Sequence, residues 1–497
     1  MRAEFAELKR RLGEVHDLAK IQELLFWDQT VMMPPAGAAV RAEQLTTIDR
    51  IAHERFVDDE VGRLLEALRP YEESLDYDSD DASLVRVARR DWGKARRVPP
   101  ELSAELTKAA SEGNEAWVQA RADDDYASFR PWLDRNLELK RRYIDCFDPT
   151  DEPYDVLLDD FEPGMKTAEV REVFDRLKPG LVSLIGEVAS DEEDAFMRGP
   201  WDEERQRDFA LSVIERWGFE RESWRMDPTV HPFEASAGTR DIRLTTRSSP
   251  DDITSLFTAL HECGHGLYER GVSPSLERTP LCSGCSSTLH ESQSRMWENI
   301  VGRGRPFWEF FYPRLQGQFP EVLAAVELED FYRAVNRVRP SYIRVDADEA
   351  TYSLHIILRF ELEQELIAGR LSTADLPEAW NARFEEYLGI PVPNNRVGVL
   401  QDVHWSGGGF GYFPTYALGN VVSVQIWERL REDLPDVDDQ IAAGEFGPFG
   451  EWLRTHLYAL GRKFTPRETL ERVVGTGIDP EPYLRYLERK FGALATA

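Results

Sequence analysis

The chain has 497 residues, of which 42% are hydrophobic and 11% aromatic, ample for a large packed core. Its formal net charge is −31, and its nine lysines and 51 arginines are dispersed, which argues against nucleic acid as a partner. The excess of acids, and of arginine over lysine, is typical of a protein adapted to high salt, although an ordinary acidic protein from a GC-rich genome shares this composition.

The first residues carry no export or membrane signal. The stretch MRAEFAELKRRLGEVHDLAK has a charge every few positions and no apolar h-region, so we expect no signal peptide. No uninterrupted apolar run approaches the ~20 residues that span a bilayer, so we expect no membrane partner. Four cysteines are too few for a disulfide framework in a chain of this length, and we expect a cytoplasmic protein.

Helical patterns dominate the chain from its beginning, with apolar residues recurring every three or four positions over 3–27. Proline and glycine punctuate the later patterns, and two acidic stretches, 76–83 and 191–196, are predicted to be solvated loops. Further predicted helical runs cover roughly 38–70, 82–97, 101–122, 126–147, 168–190 and 202–217. These patterns predict a mainly α fold without internal repeats.

One segment, Gly238 to Arg247, alternates polar and apolar residues and is rich in threonine, which predicts a β-strand. The stretch H-P-F at 231–233 precedes this strand. The stretch S-P-D-D at 249–252 follows it and is typical of a helix N-terminus, with proline near the start and acids in the first turn. A strand or hairpin therefore leads directly into the next helix.

That helix carries the sequence T-A-L-H-E-C-G-H-G-L-Y-E-R-G. Residues four apart lie on one face of a helix, so His261 and His265 can both point imidazole nitrogens at one metal ion. Glu262 lies on the flank, where it can take a proton from a water at the open position of the metal. Gly264 and Gly266 are poor helix formers, and their small size indicates that another segment or a substrate approaches closely.

A zinc site needs a third protein ligand, and the candidates lie on the next predicted helix. Any of the three hydroxyl residues at 286–288 can cap this helix, which then carries His290 and Glu291. Glu291 follows His265 by 26 residues, enough for a turn and an antiparallel return helix. We favour Glu291 over His290, whose side chain would point about 100° away on the same helix.

The connecting loop contains Cys282-Ser-Gly-Cys285. A single C-x-x-C without a second pair is weak evidence for structural zinc or redox chemistry, so we expect small, partly buried thiols.

Six stretches, in order along the chain, resemble the motifs of the M32 metallocarboxypeptidases, the carboxypeptidase Taq family. The likeness spans nearly the whole chain, from L-F-W-D-Q at 25–29 to G-Y-F-P-T-Y-A-L-G at 411–419, with no departure at the metal-site positions. The six stretches are H-P-F at 231–233, D-I-R-L-T at 241–245, H-E-C-G-H at 261–265, H-E-S-Q at 290–293, I-R-V-D-A-D at 343–348 and G-V-L-Q-D-V-H-W at 398–405. Six ordered matches are far more specific than the zinc motif alone.

The resemblance implies a mainly α, cleft-shaped zinc-peptidase fold of the neurolysin-like gluzincin type, with a small β-sheet beside the zinc helix. It implies one peptidase domain over 1–497, with a helical N-terminal part to about 225, a catalytic core to about 425 and C-terminal helices beyond. It further implies a homodimer that releases single residues from peptide C-termini with broad specificity, apart from proline. Zinc is the expected metal, with cobalt as an alternative.

A carboxypeptidase must hold a free α-carboxylate, which calls for a cation at the closed end of its groove. The sequence predicts a helix from Pro340 to about Gly369 with a polar stripe that includes Arg344, although a solvated helix face would show the same pattern. Arg344 is the first candidate for the carboxylate clamp, and Arg243 in the strand motif is the second.

Other residues of these motifs have expected supporting roles. Asp346 or Asp348 could orient Arg344 or a ligand histidine. His231 of the H-P-F stretch is a further candidate for substrate binding. The strand at 239–247 is expected to offer an unpaired edge, along which a peptide substrate can lie as an added strand.

Peptide hydrolysis passes through a tetrahedral intermediate whose oxygen needs a neutral hydrogen-bond donor. The glycine-rich stretch 401–416 can supply the donor from Tyr416 or His404, and simple packing of an aromatic turn is the alternative. Glu262 would take the proton of the attacking water and pass it to the leaving amine.

Three alternative functions stay open. An aminopeptidase usually carries G-x-M-E-N ahead of its zinc motif, whereas M-W-E-N at 296–299 lies downstream and lacks the glycine. An oligoendopeptidase shares the fold and the metal ligands, and differs at the closed end of the groove. A non-catalytic peptide-binding scaffold is disfavoured by the intact Glu262 beside both histidines.

Overall fold

The computed structural model describes residues 2–496 and is mainly helical, with one small sheet, as predicted. The helices are α1 (Arg2–Val31), α2 (Ala38–Phe56), α3 (Asp59–Ala67), α4 (Arg69–Glu73), α5 (Asp80–Ala95), α6 (Pro100–Asp123), α7 (Tyr126–Ile144), α8 (Tyr154–Leu158), α9 (Thr167–Val188), α10 (Glu203–Trp217), α11 (Thr254–Gly271), α12 (Ser287–Arg295), α13 (Arg305–Gln318), α14 (Pro320–Leu323), α15 (Leu328–Val335), α16 (Tyr352–Ile367), α17 (Leu376–Leu388), α18 (Pro414–Asp433), α19 (Val437–Ala443), α20 (Gly447–His456), α21 (Pro466–Val474) and α22 (Glu481–Thr496). The strands are β1 (Trp224–Pro228), β2 (Glu234–Gly238) and β3 (Asp241–Thr246). None of the described helices combines the length and the apolar character needed to cross a bilayer.

The helical runs predicted from the sequence are confirmed, with changes at their boundaries. The run 38–70 is divided among α2, α3 and the start of α4, because the Asp58 carboxylate accepts a hydrogen bond from the Glu60 N–H group at 2.8 Å and begins a new helix. The predicted loop 76–83 is shorter than expected, since Ser79 caps α5 and the helix starts at Asp80.

The helix predicted from Pro340 begins instead at Tyr352. Before it, residues 344–346 form only a single 3-10 turn. The carboxylate of Asp348 accepts hydrogen bonds that hold this segment out of a helical conformation. Its backbone donors, at 3.0 Å each, are the N–H groups of Arg339, Ala350 and Thr351. The prediction was wrong because the apolar periodicity continues across a segment whose backbone hydrogen bonds go to a side chain.

The described chain forms two compact units, each assembled from three segments of chain. The first unit comprises residues 2–96, 193–335 and 426–477, and the second comprises 97–192, 336–425 and 478–496. The predicted boundary near 425 coincides with a passage from one unit to the other, whereas the predicted boundary near 225 lies inside the first unit.

Each unit has its own apolar packing. In the first unit, buried leucine and valine side chains of α1, α3 and α5 pack with residues 272–282, which lie directly after α11. In the second unit, α16 is buried on nearly all sides and packs against α7, α9 and α17. A helix that is buried around nearly its whole circumference lies at the centre of a helical core, and α16 brings His355, Arg359 and Glu363 into this core.

The small sheet belongs to the first unit and has the strand order β1-β3-β2. Strand β3 is central, parallel to β1 and antiparallel to β2. The prediction of an unpaired edge at 239–247 is therefore wrong, because both edges of β3 are paired. The sequence E-A-S-A-G of β2 has low β-propensity, which is why this strand was not recognised. Among residues 2–496, the strand with an unpaired edge near α11 is β2, which lies at the border of the sheet.

Helix α11 lies directly on this sheet. A Cβ atom at Gly266 would be 2.6 Å from the Trp224 ring and 2.9 Å from Ile242, so the helix can approach β1 and β3 only because this residue has no side chain. The close approach expected at this glycine is confirmed, and it fixes the height of α11 above the sheet.

Candidate metal centre

Two imidazoles of α11 and one carboxylate of α12 converge in the first unit. His261 and His265 are one helical turn apart, on the same face of α11. Their Nε2 atoms lie 3.8 and 3.5 Å from Oε2 of Glu291. One potential ligand atom from each of the three residues lies within 4.8 Å of the other two. The structure thus brings together the three residues predicted to hold the metal.

Gly264 allows α12 to lie against α11 at this point. A Cβ atom at Gly264 would be 2.7 Å from the Gln293 carbonyl oxygen and 2.7 Å from Ser294 Cα, both of which are backbone atoms of α12. Ser286 caps α12, because its hydroxyl accepts a hydrogen bond from a backbone N–H group of the first turn. The predicted cap and the predicted close approach at Gly264 are confirmed, and together they position Glu291.

Glu298 orients the ring of His261. Its Oε2 atom lies 2.9 Å from Nδ1 of His261, and an ionised carboxylate can only accept, so Nδ1 carries the hydrogen. Burial opposes ionisation of Glu298, but the hydrogen bond from His261 and the charge of Arg295 hold its pKa below the usual range. This hydrogen bond leaves the Nε2 atom of His261 as the nitrogen that faces Glu291.

A second imidazole orients His265. The Nδ1 atoms of His265 and His290 are 2.5 Å apart, and Nε2 of His290 lies 2.9 Å from Oε1 of Glu269. Burial opposes ionisation of Glu269, but the hydrogen bond from His290 brings its pKa below the usual range. A chain of hydrogen bonds in which His265 donates from Nδ1 to His290, and His290 from Nε2 to Glu269, leaves Nε2 of His265 able to bind a metal. His290 contacts the Nδ1 atom of His265 and not the Nε2 atom that faces Glu291.

Three potential ligand atoms face one another: the two histidine Nε2 atoms and Oε2 of Glu291. When both imidazoles are neutral and donate from Nδ1, a cation placed among these atoms meets three lone pairs. The other Glu291 oxygen accepts a hydrogen bond from Nε of Arg295 at 2.6 Å, which keeps this carboxylate ionised. Two imidazole nitrogens and a carboxylate oxygen are the donor set of catalytic zinc sites, so the residues present fit a divalent metal.

Glu262 is the predicted general base. Its side chain is 6% exposed, and among residues 2–496 it makes no hydrogen bond or ion pair. Burial raises the pKa of Glu262 to about 7, with His261 opposing this effect and Glu291 adding to it. A carboxylate without a protein partner is available to bind and deprotonate a water molecule.

Sequence reasoning missed two residues of this network. Glu298 belongs to the stretch M-W-E-N, which was considered only as an aminopeptidase signature. It follows Glu291 by seven residues, or two helical turns, and this spacing was the available signal. Glu269 follows His265 by one turn of α11 and carried the same kind of signal.

Arg344, the predicted carboxylate clamp, belongs to a buried charge cluster of the second unit. Its Nε and Nη2 atoms donate to Oδ1 of Asp402 at 3.0 and 2.8 Å, and its Nη1 atom donates to the Tyr352 hydroxyl at 2.9 Å. The Nε atom of Arg359 donates to the other oxygen of Asp402 at 2.6 Å. Asp402, which the sequence analysis did not single out, orients Arg344, whereas Asp348 binds backbone N–H groups.

His404 and Tyr416 lie in the same cluster. The Nε2 atom of His404 is 3.4 Å from the Tyr416 hydroxyl, and its Nδ1 atom is 3.9 Å from Oδ1 of Asp402. The guanidinium carbon of Arg344 lies 5.0 Å from the centre of the Tyr416 ring. Burial lowers the pKa of His404 to about 4, although Asp402 acts in the opposite direction. His404 is therefore neutral near pH 7.

The two remaining predicted binding residues lie in the first unit. Arg243 on β3 donates from Nε and Nη2 to the two carboxylate oxygens of Asp241, at 2.9 Å each, and stacks 4.4 Å above the ring of Trp27. His231 is exposed, three residues before β2. Arg243 thus forms a neutral pair with Asp241, and His231 is not one of the three residues that could hold a metal.

No cysteine among residues 2–496 forms a disulfide, and Cys282 and Cys285 are buried. Cys282 packs in the apolar cluster of the first unit, and the Cys285 thiol donates to the Thr469 hydroxyl at 3.5 Å. The interpretation of these residues as small buried thiols is confirmed.

Comparison with known proteins extends the similarity beyond the metal centre. Residues 7–491 match the family model of the carboxypeptidase Taq (M32) metallopeptidases. The chain is 42% identical over 490 residues to thermostable carboxypeptidase 1 of Thermus thermophilus, with 96% of each chain covered. It is 33% identical over 495 residues to carboxypeptidase 1 of Bacillus subtilis, with 99% of this chain and 98% of the relative covered. The crystal structure of the M32 carboxypeptidase from Deinococcus radiodurans R1 matches over 100% of both chains, with a TM-score of 0.96 and 38% identity.

Proposed function

Because this chain belongs to the carboxypeptidase Taq (M32) family of metallopeptidases and is a peptidase hydrolase, we propose that it releases single residues from the C-termini of peptides with broad specificity. The observation that carries the proposal is the convergence of His261, His265 and Glu291, with the unpartnered carboxylate of Glu262 on the same helix. This arrangement offers three metal ligands and a base for a water molecule.

Zinc is the proposed metal, with cobalt as the alternative. Held by His261, His265 and Glu291, it would supply the Lewis acidity that polarises the scissile carbonyl and eases deprotonation of a water. Glu262 accepts the proton of the attacking water and donates it to the leaving amine. Its pKa of about 7 in the metal-free site suits a group that must both accept and release a proton near neutrality.

Arg344 is proposed to hold the terminal carboxylate of the peptide. Two guanidinium groups share the single carboxylate of Asp402, so the cluster has one positive charge in excess. Arg359 is fully buried, whereas Arg344 is 6% exposed, so Arg344 presents this charge. Arg243 is less suited, because its charge is already balanced by Asp241. Each Arg344 Nη atom carries a second N–H hydrogen that can bind the incoming carboxylate.

His404 and Tyr416 are the proposed neutral donors to the oxygen of the tetrahedral intermediate. The depressed pKa of His404 keeps its imidazole neutral at working pH, and the Tyr416 hydroxyl lies next to it. A neutral donor does not lose its proton to the developing oxyanion, which is the property this role demands. The single variants His404→Gln and Tyr416→Phe distinguish the two residues through kcat.

The test of the reaction uses one unmodified peptide and its C-terminally amidated form, followed by time-resolved mass spectrometry on metal-loaded protein. We expect successive single-residue losses from the free-acid peptide and none from the amide. Internal cleavage of both forms would support the oligoendopeptidase instead. Metal analysis of the same sample identifies the bound ion.

The variant Glu262→Gln separates catalysis from mere peptide binding. The amide cannot accept the water proton, so we expect kcat to fall by about 10²- to 10⁴-fold. Retention of full turnover would contradict the assignment of Glu262, and absence of turnover in the wild type would favour a peptide-binding scaffold.

The assembly and the location of the protein are proposed from the family resemblance and the sequence. We propose a homodimer in the cytoplasm, with peptides as the partners. Light scattering coupled to size-exclusion chromatography tests the dimer, and a mass equal to one chain would contradict it.

A further inference from the structure

A cavity of about 240 Å³ lies beside the metal centre, within the first unit. Its walls come from α1, from β2 and the residue before it, and from the region of α11 and α12 that orients His265. The lining residues are Lys20, Glu23, Phe26, Phe233, Glu234, Ala235, Ser236, Glu269, Ser283 and His290. Since His290 also contacts His265 at 2.5 Å, the cavity is one side chain away from the metal ligands.

The charges that line this cavity do not balance. Three carboxyl groups, those of Glu23, Glu234 and Glu269, face the ammonium group of Lys20. Lys20 pairs with Glu23 at 3.1 Å and donates to Ser236 at 3.3 Å. Glu269 accepts hydrogen bonds from His290 and from the backbone of Gly284, at 2.9 Å each.

Glu234 is the exception among these charged groups. Its Oε1 atom is buried, and within residues 2–496 the side chain has no hydrogen bond or ion pair. Burial, followed by the charges of Glu269 and Glu23, raises the pKa of Glu234 well above its usual value. A carboxyl group with this pKa is protonated when no cation lies beside it, and a cation placed in the cavity would favour its ionised form.

The shape and the position of the cavity suit part of a peptide. The rings of Phe26 and Phe233 meet edge to face at 5.3 Å and offer an apolar wall for the aliphatic stem of a long side chain. Residues 234–236 belong to strand β2 at the border of the sheet, so the cavity lies next to a strand that ends the sheet. The volume is below that of sites for drug-sized ligands, and suits one amino-acid side chain.

We propose that this cavity is a subsite that binds a cationic side chain, arginine or lysine, of the peptide substrate, with Glu234 as its counter-ion. The inference rests on the proposed function, because it names the peptides that the peptidase handles best. It also makes Glu234 a residue that determines specificity without touching the reacting atoms.

The test uses N-acetylated peptides, in which the N-terminal amine is blocked. One arginine is placed at each of the last four positions in turn, and each peptide is paired with its citrulline counterpart, which is nearly isosteric and neutral. The measured quantity is the arginine-to-citrulline ratio of kcat/KM on the wild type, on Glu234→Gln and on Glu54→Gln. Glu54 is a matched control, because its side chain is 60% exposed and pairs with Arg50 on the surface.

We expect the wild type and Glu54→Gln to prefer arginine by about 10-fold or more at one position, and Glu234→Gln to bring this ratio close to one. The ratio is insensitive to a general loss of activity, because both peptides meet the same variant. A ratio near one in the wild type, or the same ratio in Glu234→Gln, would overturn the proposal.

Calorimetric titration of the same peptide pairs separates this inference from the proposed function. If no peptide is shortened, the peptidase proposal fails, and the arginine-to-citrulline affinity ratio still decides the subsite. Thermal unfolding gives an independent readout. Replacement of an unpartnered, protonated carboxyl group by an amide should leave the midpoint of Glu234→Gln equal to or above that of the wild type, whereas a fall would indicate a structural ion pair and contradict the assignment.

Discussion

Replacement of Gly264 by alanine should separate metal binding from folding. The added Cβ would lie 2.7 Å from two backbone atoms of α12, where ordinary contact begins at 3.4 Å. Helix α12 must therefore move by the difference, 3.4 − 2.7 = 0.7 Å. Metal–ligand distances tolerate only about 0.2 Å, so a shift of this size removes Glu291 from coordination distance.

In Gly264→Ala, the free energy of unfolding should change much less than the free energy of metal binding. Overpacking costs about 1–3 kcal/mol, and the better helix propensity of alanine offsets about 1 kcal/mol of this cost. We expect the metal-free variant to be destabilised by at most about 2 kcal/mol, by the difference of these terms. We expect its affinity for zinc to fall by about 10- to 100-fold, as when groups that hold a metal ligand are lost.

The assay is competition with a chromogenic chelator, combined with urea unfolding of the metal-free protein. The matched control is Gly317→Ala in α13, where no heavy atom lies within 4 Å of the added Cβ, so zinc affinity should stay unchanged. A Gly264→Ala protein with wild-type zinc affinity would refute the reasoning, because it would show that the spacing of the two helices does not control the site.

Three further predictions concern the surroundings of the two clusters. Glu298→Ala should lower the affinity for zinc by about 10- to 100-fold, because His261 loses the acceptor that orients its ring. Competition with a chelator measures this affinity, and Glu54→Ala, at an exposed position, is the control. Equal zinc affinities of the two variants would contradict the prediction. His404 is buried with its pKa lowered from 6.5 to about 4, so its stabilisation is present above pH 6.5 and is lost as the pH falls through 4. As the pH falls through this range, the free energy of unfolding of the wild type, measured with urea, should decrease by up to about 3 kcal/mol more than that of His404→Gln. Equal decreases in both proteins would contradict the lowered pKa of His404. Chelation should abolish peptide cleavage and added zinc or cobalt should restore it, whereas full activity after verified metal removal would exclude metal-dependent hydrolysis.

The metal centre was predictable because its main rules are local. One helical turn separates His261 from His265, and a serine cap places Glu291 at a fixed position on the following helix. Glu298 also has a regular spacing from Glu291, seven residues along the chain. A sequence pattern does not show, however, which of several acidic residues forms the hydrogen bond with an imidazole. The close packing of α11 against α12, which Gly264 permits, determines that this residue is Glu298.

Contacts between distant segments were not predictable. Asp402 pairs with Arg344 and Arg359, which precede it by 58 and 43 residues. Strand β3 pairs on both edges with strands whose sequences did not predict them. The helix predicted from Pro340 does not form there, because the Asp348 carboxylate accepts hydrogen bonds from the backbone of this segment.

By itself, the sequence determined the mainly helical class, the elements that carry the site and the three residues that converge on it, because periodicity and capping act over one or two turns. Only the tertiary structure decided the hydrogen-bond partners of His261 and His265, the central place of β3 and the unpartnered carboxyl group of Glu234. These features depend on which buried polar groups find a partner, and such partners come from segments far apart in the chain.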